Sequence, residues 1–398
     1  MYTIHVGFSG FPIGMASVRR TLLTFKGLKE AGRQPLIINK ISHHQYSDHV
    51  KVKRFEGIPF VNTAYANAKP ASFIKRNLNK LSGYFGEIIL LYKKRKQVDT
   101  AILYSTYFME YPYYYLLSKI FGFTLLIQYV EMYSVIPGRS ALFTRVNDKL
   151  IDRYLCSFCD GVIAISDYLV LQVKKQSALR PVIKIPANSD FTLAALSTGT
   201  IQTPYLMYCG TIGHLEVIEF VLTLYERLKQ NGAYNGNIRL VISGNHPENW
   251  AKLKSLLQLS LVKNNVLVES NISQLQLINA YQHADVLLIP LRNTDQDKAR
   301  FPHKIGEYTS VARPLISTNI GELKTYFKDG VSAILAEEYS VDAYYHKLSG
   351  ILTSKEILDK IGQAGRAVGL ANFDYRAQGI QLNQFIDQLN HQFSRQYS

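Results

Sequence analysis

Cysteine is scarce in this chain: Cys156, Cys159 and Cys209 are the only three, and an odd number cannot all pair. That excludes a disulfide-stapled scaffold and fits a reducing cytoplasm. Cys156 and Cys159 have CxxC spacing, but no second CxxC or His pair accompanies them, and LIDRYLCSFCDGVIAIS reads as a helix running into a strand with both thiols on its buried face. No uncharged apolar run reaches the ~18 residues of a membrane span. The nearest, 107–130, is interrupted by Glu110, Pro112 and Lys119. MYTIHVGFSG lacks a basic leader and a long apolar core, so it reads as a strand and not a secretion signal. A cytoplasmic location is expected, free or peripheral on the inner membrane face. Both phosphate-binding fingerprints are missing. There is no GxxxxGK[ST], and the nearest approach to GxGxxG, Gly7 to Gly14, has the wrong spacing and a proline. Nicotinamide dehydrogenases and P-loop NTPases are thereby excluded. No helix-turn-helix, RNP or zinc-finger pattern appears, so no nucleic-acid partner is expected.

Acids are the minority charge, 30 Asp and Glu against 45 Lys and Arg, a net +15 that favours anionic partners. The excess is concentrated over 74–97, where seven cations (Lys75, Arg76, Lys80, Lys93, Lys94, Arg95, Lys96) face Glu87 alone among apolar residues. Such a segment is either a contact for an anionic membrane surface or a surface helix with a solvated charged face.

At 398 residues the chain exceeds one ordinary core, and two domains are expected. Strand patterns fall at 2–8, 35–38, 100–104, 124–129 and 161–166, with helices at 18–31 and 113–121. The pattern lapses over 186–204, a linker composition. It restarts with strands at 206–209, 239–243, 266–269, 285–291, 314–318 and 331–335, a turn at 210–213, and helices at 216–229, 273–283 and 305–311. The fold class is α/β, two Rossmann-like doubly wound parallel-sheet domains facing a cleft. The expected boundaries are 1–190, 204–370, and a 371–398 helix packing back towards the first domain.

The most informative stretch is ADVLLIPLRNTDQDKARFPHKIGEYTSVARPLISTNIGEL, beginning at Ala284: a buried strand, a polar loop, Phe301-Pro302-His303-Lys304-Ile305-Gly306-Glu307-Tyr308 opening a helix, then a second strand. It resembles the C-terminal half of the group-1 retaining glycosyltransferases (family GT4, GT-B fold), which carry "fPxKxxEY…GxPvi" in this order. Leu206 to Thr211 resembles their "yvGt" opening, Leu240 to Gly244 their "l.i.G" strand, and the Gly-Phe-Pro…Gly14…Arg19 loop their first-strand loop. The resemblance implies a nucleotide-diphosphate sugar as donor substrate, no required cofactor or metal, and a glycan or lipid-linked acceptor in bacterial surface polysaccharide or lipopolysaccharide assembly. It assigns Glu307 to the ribose hydroxyls and Gly14, Gly210, Thr211, Gly244, Pro302, Tyr308 and Arg300 to the donor region.

The chemistry agrees with those residue types. Negative charge develops on the departing diphosphate, and Lys304, in the first turn of its helix, can stabilise it. Lys304 and Glu307 share a helix face, which also allows a plain i,i+3 ion pair. The family's usual acid eight positions before Glu307 is Ala299 here. The loop after Gly210 lacks the usual cations, His214 aside, leaving Lys304, Arg300, Lys298 and Arg19 to meet the phosphates. Arg19 and Arg20 begin a helix, where cations are unfavourable, which points to an anionic ligand. Glu131, past the 124–129 strand, either orients the acceptor or acts as base, or caps the next helix. The tract 107–123 is rich in aromatics and suits a membrane-held acceptor. Asp295-Gln296-Asp297 reads as a solvated loop and not a metal site. Other readings are a catalytically silent nucleotide-sugar-binding or scaffold partner, and a nucleotide-sugar epimerase of the same fold.

Overall fold

The computed structural model describes residues 1–7, 10–14, 16–40, 52–64, 72–196 and 203–396. The chain forms two units: Met1–Asn188 with Ala299–Phe301 and Tyr375–Ser398, and Ser189–Lys298 with Pro302–Asp374.

The first unit is built on β1 (Tyr2–Val6), β2 (Gln34–Asn39), β3 (Lys53–Phe55), β4 (Ile58–Asn62), β5 (Val98–Leu103), β6 (Thr124–Tyr129), β7 (Gly161–Ala164) and β8 (Val182–Lys184), in the order β3-β4-β2-β1-β5-β6-β7-β8. Every pairing is parallel except β3 with β4. The central strands β1, β5 and β6 are buried along almost their whole length because helices cover both faces of a parallel sheet. The β3–β4 hairpin turns at Glu56 and Gly57, both at positive φ, +44° and +78°. The sequence reading holds no strand at β3, β4 or β8, which are short and, at Lys53-Arg54, charged. The helix Tyr375–Gln396 lies along Ala16–Glu30. A Cβ on Gly27 would overlap the Tyr375 carbonyl, and one on Gly379 would overlap the Gly27 backbone. Leu382, Ile386 and Leu389 complete the core around Val18, Leu22 and Phe25.

The second unit holds β9 (Tyr205–Thr211), β10 (Asn237–Ser243), β11 (Val266–Glu269), β12 (Val286–Leu288), β13 (Leu315–Thr318) and β14 (Ile334–Ala336), all parallel, in the order β11-β10-β9-β12-β13-β14. Counted from β9 this is the doubly wound order of dinucleotide-binding folds. Three expectations need correction. Gly210 and Thr211 belong to β9, so the turn begins only at Ile212. The strand expected at 285–291 spans Val286–Leu288, and its pairing ends with Ile289 N donating to the Ile316 carbonyl at 3.0 Å, just before Pro290, which has no N–H to give. Asp295–Ala299 is a short helix and not a solvated loop; Asp297 is buried, its Oδ2 accepting from the Arg292 backbone N at 2.8 Å and Nε at 3.1 Å. In the expected linker, Asn188, Ser189 and Asp190 are buried, and 197–202 lie outside the described residues.

Candidate active site

Open parallel sheets bind ligands beyond the carboxyl ends of their strands, where connections on either side depart in opposite directions. In the second unit that point falls between β9 and β12. The helix Lys304–Ser310 carries Lys304 and Glu307 in its first turn, both half-buried. Pro302 sits just ahead of the helix, its carbonyl accepting from Ile305 N at 3.1 Å. Tyr281, fully buried on the helix Gln274–Gln282, donates its hydroxyl to Glu307 Oε2 at 3.2 Å and packs edge-on against Tyr308, ring centroids 4.9 Å apart. Cys209 shares a hydrogen bond with Tyr281 and feels both Lys304 and Glu307; burial is the larger influence and pushes its thiol up, so it is a neutral neighbour and not a nucleophile.

The β9 and β10 ends are stitched together by Ser243 Oγ donating to the Gly210 carbonyl at 3.2 Å. Gly210 leaves room for the Tyr208 ring, which a Cβ there would overlap. Gly244, at φ +98°, lies against the Thr211 side chain, and its carbonyl accepts from Trp250 Nε1 at 3.1 Å. Tyr308 is a core residue: fully buried, its hydroxyl donates to the Leu288 carbonyl at 3.5 Å, so it supports the site from below. The first turn of the helix Leu215–Gln230 presents Glu216, which Arg292 meets at 2.9 Å while also holding Asp297. Sequence reasoning missed Tyr281 and Arg292, which no motif marks, and passed over Cys209 inside the 206–211 motif, because the contacts to Glu307, Glu216 and Tyr281 come from residues distant in sequence.

In the first unit the corresponding point lies between β1 and β5. Beyond β1, Gly7 donates its N–H to Tyr114 Oη at 3.1 Å, and a turn follows in which Ile13 N donates to the Gly10 carbonyl at 3.0 Å. Gly14 is exposed there, and a Cβ on it would overlap Val18; residues 8, 9 and 15 lie outside the described residues. Glu131 follows β6 half-buried. Burial raises its pKa, and the cations Arg300 and Arg139 draw it back. Tyr104, at the end of β5, lies in the field of Glu131 and is hydrogen-bonded to Tyr133. The helix-capping alternative for Glu131 fails: the amides of Tyr133 and Ser134 donate to Asp152, at 3.2 and 2.7 Å.

Of the two arginines expected to mark an anion, Arg20 is committed to the unit's own backbone and Arg19 to an ion pair. Arg20 is buried, donating to the carbonyls of Ile185 at 2.8 Å and Pro186 at 3.0 Å, with burial lowering its pKa to about 10. Arg19 reaches Glu56 at 3.5 Å. Ala299 is buried, its carbonyl accepting from Ser166 Oγ at 2.6 Å. Cys156 and Cys159 are both buried, which pushes the Cys156 thiol up to about 11 and that of Cys159 higher still. Among the described residues, no cluster of three or more His, Cys, Asp or Glu is placed to hold a metal ion, and no helix is long and apolar enough to cross a membrane.

Two doubly wound units in one chain make the GT-B fold, and the second carries a Lys-x-x-Glu helix at its strand-order switch. The domain is particular: residues 200–368 match the family model for glycosyl transferases group 1, so the chain carries a group 1 glycosyltransferase domain. It is similar to the alpha-D-kanosaminyltransferase of Streptomyces kanamyceticus, 19% identical over 292 residues that make up 68% of this chain and 72% of that one. Among solved structures, sucrose-phosphate synthase from Thermosynechococcus elongatus aligns with a TM-score of 0.75 at 15% identity, over 98% of this chain and 99% of that one. Anabaena HepE in complex with UDP-glucose aligns with a TM-score of 0.67 at 12% identity, over 99% and 100%. These similarities define the fold.

Proposed function

We propose that the protein transfers a sugar, with retention of configuration as in family GT4, from a nucleotide-diphosphate donor to a glycan or lipid-linked acceptor at an anionic membrane face, in bacterial surface polysaccharide or lipopolysaccharide assembly. One observation carries the reading: Glu307, oriented by Tyr281 at the β9/β12 switch, shares its first helical turn with Lys304. In this reading Glu307 accepts from the ribose hydroxyls and Lys304 offsets charge on the departing diphosphate. The backbone of Gly210, Thr211 and Gly244 lets the nucleotide approach closely. Gly14 does the same in the first unit. Glu131 orients the acceptor hydroxyl, its raised pKa fitting a group that exchanges a proton. Arg300 and Arg19 add positive charge, and no metal takes part. The UDP-glucose held by Anabaena HepE supports a nucleotide sugar as donor.

The test is a thermal-shift screen against UDP, GDP, ADP, CMP and dTDP, with and without magnesium. One nucleoside diphosphate is expected to raise the midpoint without metal, and Glu307→Ala to weaken its binding more than about tenfold, roughly 1.4 kcal/mol. Unchanged affinity in that variant would place the nucleotide elsewhere. A second reading, a catalytically silent nucleotide-sugar binder, is favoured by the buried Ala299 where relatives place an acid; measurable donor hydrolysis or transfer eliminates it.

A further inference from the structure

Helix Phe73–Lys94 is inside out. Its apolar stripe of Ile74, Leu78, Leu81, Phe85, Ile89 and Tyr92 recurs in steps of three and four, and these side chains are 53–68% exposed. The buried face carries Asn79, Gly83, Glu87 and Leu91. That orientation is specified from beneath. A Cβ on Gly83 would overlap the Lys40 carbonyl, and one on Gly86 the Thr63 carbonyl, so the helix rests at backbone contact. Tyr114 Oη lies 2.9 Å from each carboxylate oxygen of Glu87. Lys40 pairs with Glu110, which also accepts from Tyr84 Oη at 2.7 Å. Rolling the helix to hide its stripe would break these buried polar contacts.

The neighbouring helix Glu110–Phe121 extends the same surface. Met109, Leu116 and Ile120 are 60–73% exposed, and their stripe runs through Tyr113. The Tyr113 ring meets Tyr84 of the first helix edge-on, centroids 5.2 Å apart, so the two stripes adjoin. The charge is equally one-sided. Glu87 and Glu110 are the only acids on the two helices and both are buried, while Lys75, Lys80, Lys93, Arg95 and Lys96 are exposed on or just beyond the first helix.

We infer that this two-helix face inserts into the headgroup layer of an anionic lipid bilayer. The inference rests on the membrane-face acceptor proposed above and specifies how the protein reaches it: apolar side chains enter the acyl boundary while the lysines stay with the phosphates, so attraction between charges is only part of the binding. A surface without carboxylates, rich in both long apolar groups and cations, matches lipid phosphate over acyl chain.

The test is co-sedimentation of the full-length protein with phosphatidylcholine vesicles, with and without phosphatidylglycerol, at low and high salt. The wild type is expected to bind the anionic vesicles and to keep part of that binding when salt screens the lysines. Leu78→Ser/Phe85→Ser/Ile89→Ser is expected to lose at least about tenfold in partitioning, and Lys75→Gln/Lys80→Gln/Lys93→Gln to lose the preference for anionic lipid. Both variants change exposed side chains, and their thermal midpoints check that they fold. Partitioning of the serine variant equal to wild type would overturn the inference and leave electrostatic docking standing. So would a wild-type oligomer that the serine variant dissociates, since the face would then be a subunit contact. Failure of the wild type to bind any vesicle would overturn both this inference and the membrane part of the proposal, leaving the nucleotide screen to judge the donor site on its own.

Discussion

Tyr281 offers one hydroxyl to a carboxylate in a buried setting, where a bond to a charged group is stronger than in water. Tyr281→Phe keeps the ring against Tyr308 and removes that bond together with the weaker one shared with the Cys209 thiol. It is expected to weaken nucleotide binding about five- to tenfold by calorimetry, roughly 1 kcal/mol, with little change in the melting midpoint. A large loss of stability instead would make Tyr281 a packing residue. Glu87 gives a second prediction. Burial, only partly offset by Lys40 and Tyr114, raises its pKa from 4.5 to about 7. A carboxyl raised on folding contributes stability that is complete below about pH 4.5 and is lost as pH climbs through about 7. Glu87→Gln removes that titration. Urea unfolding should show the variant near wild type at pH 5 and more stable by on the order of 1–2 kcal/mol at pH 8; an unchanged difference between the two pH values would refute it. The helix start that carries Lys304 and Glu307 was legible in the sequence, while the role proposed for Glu307 came from the family resemblance and not from the spacing. Gly210 and Tyr308 sit in the same motifs, yet one makes room for Tyr208 and the other fills the core. A motif records that a position is constrained, without saying whether ligand or packing constrains it.

Between elements, helices Ala16–Glu30 and Tyr375–Gln396 meet at backbone contact, where Gly27 and Gly379 face each other without side chains. Gly27→Ala would drive a methyl group into the Tyr375 carbonyl and is expected to destabilise the first unit by about 2–4 kcal/mol, read as a lower urea midpoint. Gly350, exposed at φ −82° with nothing near where its Cβ would lie, makes the control. Elements with continuous apolar runs, such as β6 and β9, could be read from sequence because burial on both sheet faces demands such runs. The Lys53–Phe55 strand could not, since edge pairing asks little of side chains. Helix Phe73–Lys94 was legible as amphipathic, but periodicity defines two faces without saying which is buried. That choice belongs to Lys40 and Tyr114, brought there by the sheet.

At the level of the whole chain, the alternation of strand and helix restarts after 204 and yields two separate sheets, each with its own core. The strand order is a consequence of right-handed crossovers and cannot be read from any one segment. The first unit is assembled from segments far apart in sequence: Leu382, Ile386 and Leu389 pack with Val18, Leu22 and Phe25. On a ribosome this inverts the usual schedule. The unit made first is finished last, because its closing helix follows the entire second unit. At about 5–20 residues per second, the intervening stretch delays closure by roughly ten to forty seconds. Through that interval the nascent chain carries an open apolar seam along Ala16–Glu30, which closes only after the second unit has been made in full.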